Sequence, residues 1–254
     1  MGIVNIGTVI NYCTLDYRFI QLCINAVRPF SSQIVLVAAD HFFDGTPENR
    51  ALLNKTYEHA RGVDIVEYAW QENDPIFFHN MSRWLGLKRL RNDIELVLFL
   101  DADEIVDEKF HECLMKFREI ILKYDAFLCN CYWYFREAQY RARTWETAGL
   151  LARKSKIQKD SMFTMEERYG ILNSLRPNIL RLSDVNGSPI VHHYSWVRTK
   201  EEMLRKVKSW GHRDNTDWGK RVEEEFSHAF MGTDFLPGHH YEYETIEPVH
   251  DIRL

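Results

Sequence analysis

The chain lacks most of the features that fix a protein's class quickly. Its five cysteines, Cys13, Cys23, Cys113, Cys129 and Cys131, are scattered, odd in number and never spaced C-x-x-C. That argues against a disulfide framework and points to reduced core thiols in a reducing compartment. No apolar run is long enough to span a bilayer, and no basic-then-apolar leader opens the chain, so a cytoplasmic protein without a transmembrane segment is expected. Met1-Gly2 is followed by Asn5-Ile6, and no Ser or Thr stands where a myristoylation signal needs one. Positive charge is not in excess: 32 Lys and Arg face 37 Asp and Glu, a net charge of -5. This argues against a nucleic-acid partner, whose domains are usually basic. Internal repeats and low-complexity linkers are absent, which favours one domain over residues 1–254. Nothing in the sequence fixes an oligomeric state.

What is present is an ordinary globular composition, 45% hydrophobic and 27% charged. The first hundred residues alternate strand and helix. Ile3 to Cys13 reads as a strand. Thr14 is placed to cap a helix bearing Phe19, Cys23, Ile24 and Val27, which Pro29 stops. Ile34 to Ala39 is a second buried strand. Asp44-Gly45-Thr46-Pro47 predicts a turn, a cap and a helix from Pro47 to about Arg61, ended by Gly62. Val63 to Tyr68, a helix around Met81 to Arg91 and a fourth strand follow. This order predicts an α/β fold with right-handed crossovers and a mostly parallel central sheet flanked by helices. The second half is less regular. Ala126 to Phe135 and Ala148 to Ala152 read as strands, 153–190 as loop, and Val191 to Val197 as a strand. Thr199 and Glu202 form a capping box for a helix from Lys200 to Gly211. The tail from Gly232 stays unassigned.

The most informative run is Leu96-Val97-Leu98-Phe99-Leu100-Asp101-Ala102-Asp103-Glu104. An apolar strand ends in two carboxylates one residue apart. Ligands of open α/β sheets bind beyond the carboxyl ends of strands. In an extended segment Asp101 and Asp103 point the same way. Two carboxylates on one side suit a hard divalent cation held against a phosphate-bearing substrate.

With these pieces in order, the chain resembles the GT-A glycosyltransferases, most closely the inverting family 2. The resemblance rests on Ile10-Asn11-Tyr12 ending the first strand and on Asp40 leading to Asp44-Gly45-Thr46. It rests also on a helix carrying Asn80 and Arg83 before the Asp-x-Asp, and on His192-His193-Tyr194-Ser195-Trp196 late in the chain. It covers residues 3–105 closely and 126–212 loosely. It implies a nucleotide-sugar half at 1–105, an acceptor half at 106–254, and Mn²⁺ or Mg²⁺ as cofactor. The implied partners are a nucleotide-sugar donor, UDP first, and a glycan acceptor.

Carried over, Asn11 lies at the nucleotide end, Asp40 contacts the base or ribose, and Tyr12 stacks on the base. The alternatives are a turn residue for Asp40 and a core ring for Tyr12. Arg83 approaches the diphosphate or is a solvated helix arginine; the family's Arg-Asn-x-Gly pattern is missing here. Asp101 and Asp103 hold metal, Asp101 also touching the nucleotide. His193 completes the metal shell and His192 binds diphosphate, unless both are packed histidines. Zinc is disfavoured, since no Cys or His stands at finger-like spacing. Lys206 reaches the diphosphate or sits on a solvated face. An inverting transfer needs a general base. The family's Glu-Asp pair is absent, so Glu146 is the first candidate, with Asp160, Asp184 and Glu166-Glu167 competing. Aromatics from Tyr132 to Phe135, with Tyr140 and Trp145, offer rings for an acceptor groove.

Rival classes are a catalytically inactive GT-A-like carbohydrate-binding protein and a phosphohydrolase of the Asp-x-Asp type. In the latter the motif sits on the first strand and is followed by Thr or Val where this chain has Ile105. A sugar-phosphate nucleotidyltransferase needs a Gly-rich loop that is missing after Ile10.

Overall fold

Apolar residues on both faces of a strand require cover on both faces, and that requirement shapes the first half. The computed structural model describes residues 4–72, 74–165, 168–236 and 241–254. Strands β1 (Ile6–Tyr12), β2 (Ser31–Ala39), β3 (Asp64–Tyr68) and β4 (Leu96–Asp101) alternate with helices α1 (Tyr17–Val27), α2 (Arg50–His59) and α3 (Pro75–Arg89). Ile10, Leu36, Leu98 and Leu100 turn to one face and pack with Phe19, Cys23, Ile24 and Val27 of α1. Val9, Val35, Val37, Val97 and Phe99 turn to the other and pack with Leu87 of α3 and with Leu90. Gly86 lets α3 lie close: a Cβ there would meet Val9 Cγ1 at 2.2 Å. All pairings among these four strands are parallel, in the order β3-β2-β1-β4.

The chain then runs through β5 (Glu104–Val106), α4 (Glu108–Lys116), α5 (Arg118–Ile121), β6 (Ala126–Phe135) and β7 (Glu137–Arg153). It continues through α6 (Lys159–Met162), α7 (Tyr169–Ser174), β8 (Ile179–Leu182) and β9 (Val191–Trp196). It closes with α8 (Lys200–Ser209), α9 (Trp218–Glu225) and β10 (Tyr243–Thr245). Among the described residues ten strands form one sheet, extended past β4 as β7-β6-β9-β5, with β8 on β6 and β10 on β7. β7 runs antiparallel to β4, β6 and β10, and β5 to β9, while β8 and β9 run parallel to β6. The fold is thus α/β with a mostly parallel sheet flanked by helices, as the sequence predicts. Helices α8 and α9 pack Met203, Val207, Trp218 and Val222 against Trp133, Phe135 and Trp196.

Several elements differ from the expectation. Thr14 does not cap α1. It opens a short 3-10 turn, Thr14–Asp16, and its hydroxyl donates to Glu48. Helix α2 starts at Arg50 behind an Asn49 cap, because Pro47 is held in a bridge to His41. Helix α3 starts at Pro75, where the Asp74 carboxylate accepts from Phe77 N–H at 2.8 Å. Strand β7 is 17 residues long, since its half-exposed first part finds partners in β6 and β10. The 153–190 segment holds short helices and β8. The Glu166-Glu167 candidates lie outside the described residues. Among the described residues no helix is long and apolar enough to cross a membrane.

Candidate active site

The carboxyl ends of β1, β2 and β4 meet at one edge, where Asn11 stands beside Asp101 in the β1–β4 register. A cavity of about 350 Å³ opens there, between that edge, β7, β9 and the end of α8. Asn11, Tyr12, Asp101, Asp103, Glu146, His193 and Lys206 all line it. Asp40, Arg83, His192, Asp160 and Asp184 do not.

The motif itself is a turn and not an extended segment. Ala102 N–H continues the ladder to Asn11 O at 3.0 Å, and Asp101 N–H donates to Glu104 Oε2 at 2.8 Å. The carboxylates therefore meet different partners. Asp101 takes two bonds from Arg83 Nη2, at 2.7 and 3.0 Å, and one from Asn11 Nδ2 at 3.1 Å. Asp103 stands 3.4 Å from Arg198, 3.6 Å from Lys206 and 3.6 Å from His193 Nε2. Burial raises Asp103 above the usual carboxylate range, and Asp16 adds to the rise. Beneath them Glu104 is buried and paired with both terminal nitrogens of Arg168, at 2.7 and 2.8 Å. Burial raises Glu104 too, with Arg168 opposing.

Arg198 connects the halves of the site. Only 1% exposed, it donates to Leu15 O at 2.6 Å, to Ser195 O at 2.9 Å, and to the carboxylates of Asp16 and Asp103. Neither Asp16 nor Arg198 is marked in the sequence. The first sits in a short turn, and the second separates a strand from a capped helix.

The other candidates fall as follows. Arg83 is not solvated: it is 1% exposed and committed to Asp101. Tyr12 lies mostly in the core, 3% exposed, its hydroxyl 2.8 Å from Thr56 Oγ1. Asp40 accepts from Trp70 N–H at 2.7 Å and lies 2.8 Å from His41 Nδ1. Burial pushes its carboxyl up, but these bonds outweigh burial and hold it below the usual range. His192 faces away from the cavity, its Nδ1 2.7 Å from Tyr134 OH and its Nε2 3.2 Å from Asp107. Strand alternation sends its neighbour His193 into the cavity. Lys206 is not on a solvated face: it donates to Ser195 Oγ at 2.8 Å, and burial, with Arg198 adding, lowers it. Asp160 is exposed on α6. Asp184 closes the turn before β9, accepting from Asn186 and Ser188 N–H at 2.8 Å each. Neither reaches the cavity, because turn chemistry and helix facing hold them elsewhere. Glu146 does, and accepts from Tyr241 OH at 2.9 Å.

Among the described residues no group of three or more His, Cys, Asp and Glu converges on one metal position. A two-ligand position does fit. Among the described residues Asp103 Oδ1 is buried without a hydrogen bond, 3.6 Å from His193 Nε2. Divalent cations at diphosphates take one or two protein ligands and draw the rest from phosphate and water. Asp101 offers less, since Arg83 and Asn11 occupy its oxygens.

Glu48, in the cavity wall, accepts from Thr14 N–H at 3.0 Å, yet burial pushes it up to about 7. A carboxyl raised in the folded state stabilises the fold while protonated. That contribution is complete below its ordinary 4.5 and is lost as pH rises through about 7. Glu48→Gln is therefore expected to remove roughly 3 kcal/mol of pH dependence across this window. Urea unfolding at a series of pH values checks it; an unchanged pH slope contradicts it.

No protein-family model matches the chain, and no curated protein matches its sequence. Solved structures are similar. Glucosyl-3-phosphoglycerate synthase from Mycobacterium tuberculosis, in complex with Mn²⁺, UDP and phosphoglyceric acid, is 11% identical. The match covers 97% of this chain and 87% of that one, with a TM-score of 0.49. The 4-diphosphocytidyl-2C-methyl-D-erythritol synthase from Anaerococcus prevotii is 12% identical over 78% of this chain and 94% of its own, at 0.44. The glycosyltransferase GlyE of Streptococcus pneumoniae is 14% identical over 88% and 63%, at 0.42. With scores below 0.5, none of these likenesses bears on the roles of individual residues.

Proposed function

We propose that this chain is a glycosyltransferase. It moves a sugar from a nucleotide diphosphate donor, UDP-sugar first, to a carbohydrate hydroxyl with inversion at the anomeric carbon. One observation carries the reading. One cavity at the strand ends is lined by Asp103, with His193 and Lys206 each 3.6 Å from it, and by Glu146. The first three suit a diphosphate, and the last suits an acceptor hydroxyl.

In this reading Glu146 takes the acceptor proton while that oxygen bonds to the anomeric carbon. The bond from that carbon to the diphosphate oxygen breaks, and the nucleoside diphosphate leaves with the electron pair. Lys206 balances the charge that develops on the leaving group. Asp103 and His193 would hold Mn²⁺ or Mg²⁺, which when bound supplies further charge neutralisation to the diphosphate. Asp101 fixes the motif by its ion pair with Arg83, and Tyr241 orients the Glu146 carboxylate.

Glu146→Gln tests the base. The turnover number is expected to fall about 10²- to 10⁴-fold with donor KM unchanged. Turnover within threefold of wild type would place the base elsewhere.

A further inference from the structure

Helix α8 presents a second group to the cavity. Trp210 is the extended C-cap residue that ends α8, four residues after Lys206, and both line the cavity. The Trp210 ring is held edge-on by three neighbours: Trp196 at 5.3 Å, Trp218 at 5.2 Å and His212 at 5.0 Å between ring centroids. Within this aromatic cluster Trp218 has an acceptor for its indole N–H, His212 O at 2.8 Å. Trp210 has none among the described residues, where its Nε1 is buried without a hydrogen bond. A buried donor without a partner is costly, and packing against three rings keeps this indole from turning to find one. Another residue lining the same cavity, Asp103, carries a buried acceptor, Oδ1, without a hydrogen bond among the described residues. Cavity-wall groups left unsatisfied are groups a ligand can satisfy.

We propose that Trp210 recognises the donor, its indole N–H donating to an oxygen of the sugar-diphosphate. The inference rests on the transferase reading of this cavity and adds to it a specificity-determining residue. The oxygen belongs either to a phosphate or to the transferred sugar, and the two are separable by ligand.

The test is calorimetric titration of the full chain with UDP and with UDP-glucose, for wild type, Trp210→Phe and Trp218→Phe. Indole ¹⁵N–¹H spectra accompany it, with the Trp210 peak assigned by its absence in Trp210→Phe. Phenylalanine keeps an aromatic ring but removes the donor together with the fused five-membered ring, a loss of volume that Trp218→Phe shares. Trp210→Phe is expected to bind UDP-glucose about tenfold more weakly. An equal loss for UDP places the contact on phosphate; retained UDP binding places it on the sugar. Trp218→Phe, which disturbs the same cluster but spares the donor, is expected to bind within about twofold of wild type. The Trp210 indole peak is expected to move on ligand addition. If wild type binds while Trp210→Phe binds both ligands equally well and the peak stays still, the inference is overturned. It is overturned also if Trp218→Phe loses as much affinity as Trp210→Phe, since packing would then be the cause. If wild type binds neither UDP nor UDP-glucose, the UDP-sugar reading fails and this inference with it.

Discussion

Asp103→Asn is expected to lower kcat/KM for sugar transfer by about 10³-fold or more, with the folded state retained. Asparagine keeps the volume and one acceptor oxygen but not the charge. In the reading above that charge holds the cation, faces His193 at 3.6 Å and sets the field around Lys206 at 3.6 Å. Lewis-acid stabilisation of a leaving diphosphate is worth several kcal/mol, and each 1.36 kcal/mol is tenfold in rate. Steady-state transfer by wild type and variant, normalised to folded protein by circular dichroism, measures the loss. Activity within tenfold of wild type would remove Asp103 from the mechanism.

Arg198→Met is expected to cost about 3–5 kcal/mol of stability. Methionine fills much of the volume, but the carboxylates of Asp16 and Asp103 then lose the buried cation between them. Two backbone carbonyls, Leu15 O and Ser195 O, lose their donors as well. For a chain of this size the melting point should drop by about 10 °C. Arg198→Lys should recover only part of this, since one ammonium cannot span four acceptors. A loss under about 1 kcal/mol in urea titrations would show that the arginine is not the clamp the geometry makes it.

The parts of this site that were legible in the sequence were those whose signal is local. The strands ahead of Asn11 and Asp101 announce themselves because both faces must be apolar. That His192 and His193 take opposite faces of β9 also follows from strand alternation, though which face meets the cavity does not. What was not legible depends on register and on partners distant in sequence. Arg83 and Asp101 meet because α3 lies on the sheet, and no spacing rule separates a buried helix arginine from a solvated one. Arg198 is unmarked because its four acceptors come from three separate stretches of the chain, Leu15-Asp16, Asp103 and Ser195. The first part of β7 escaped because Arg143, Thr144 and Trp145 are exposed there and give no clean alternation. Asp184 lies outside the cavity because it closes a turn, and in sequence such an Asp looks like one placed for chemistry.

The most direct measurement is calorimetric titration of the wild-type chain with a panel of nucleotide sugars, in Mn²⁺ and again after its removal by EDTA. The expected result is one donor bound at least about tenfold more tightly than the others, with affinity weakened when the cation is withdrawn. If the folded protein binds no nucleotide sugar under either condition, the cavity is not a donor site and the transferase reading is wrong.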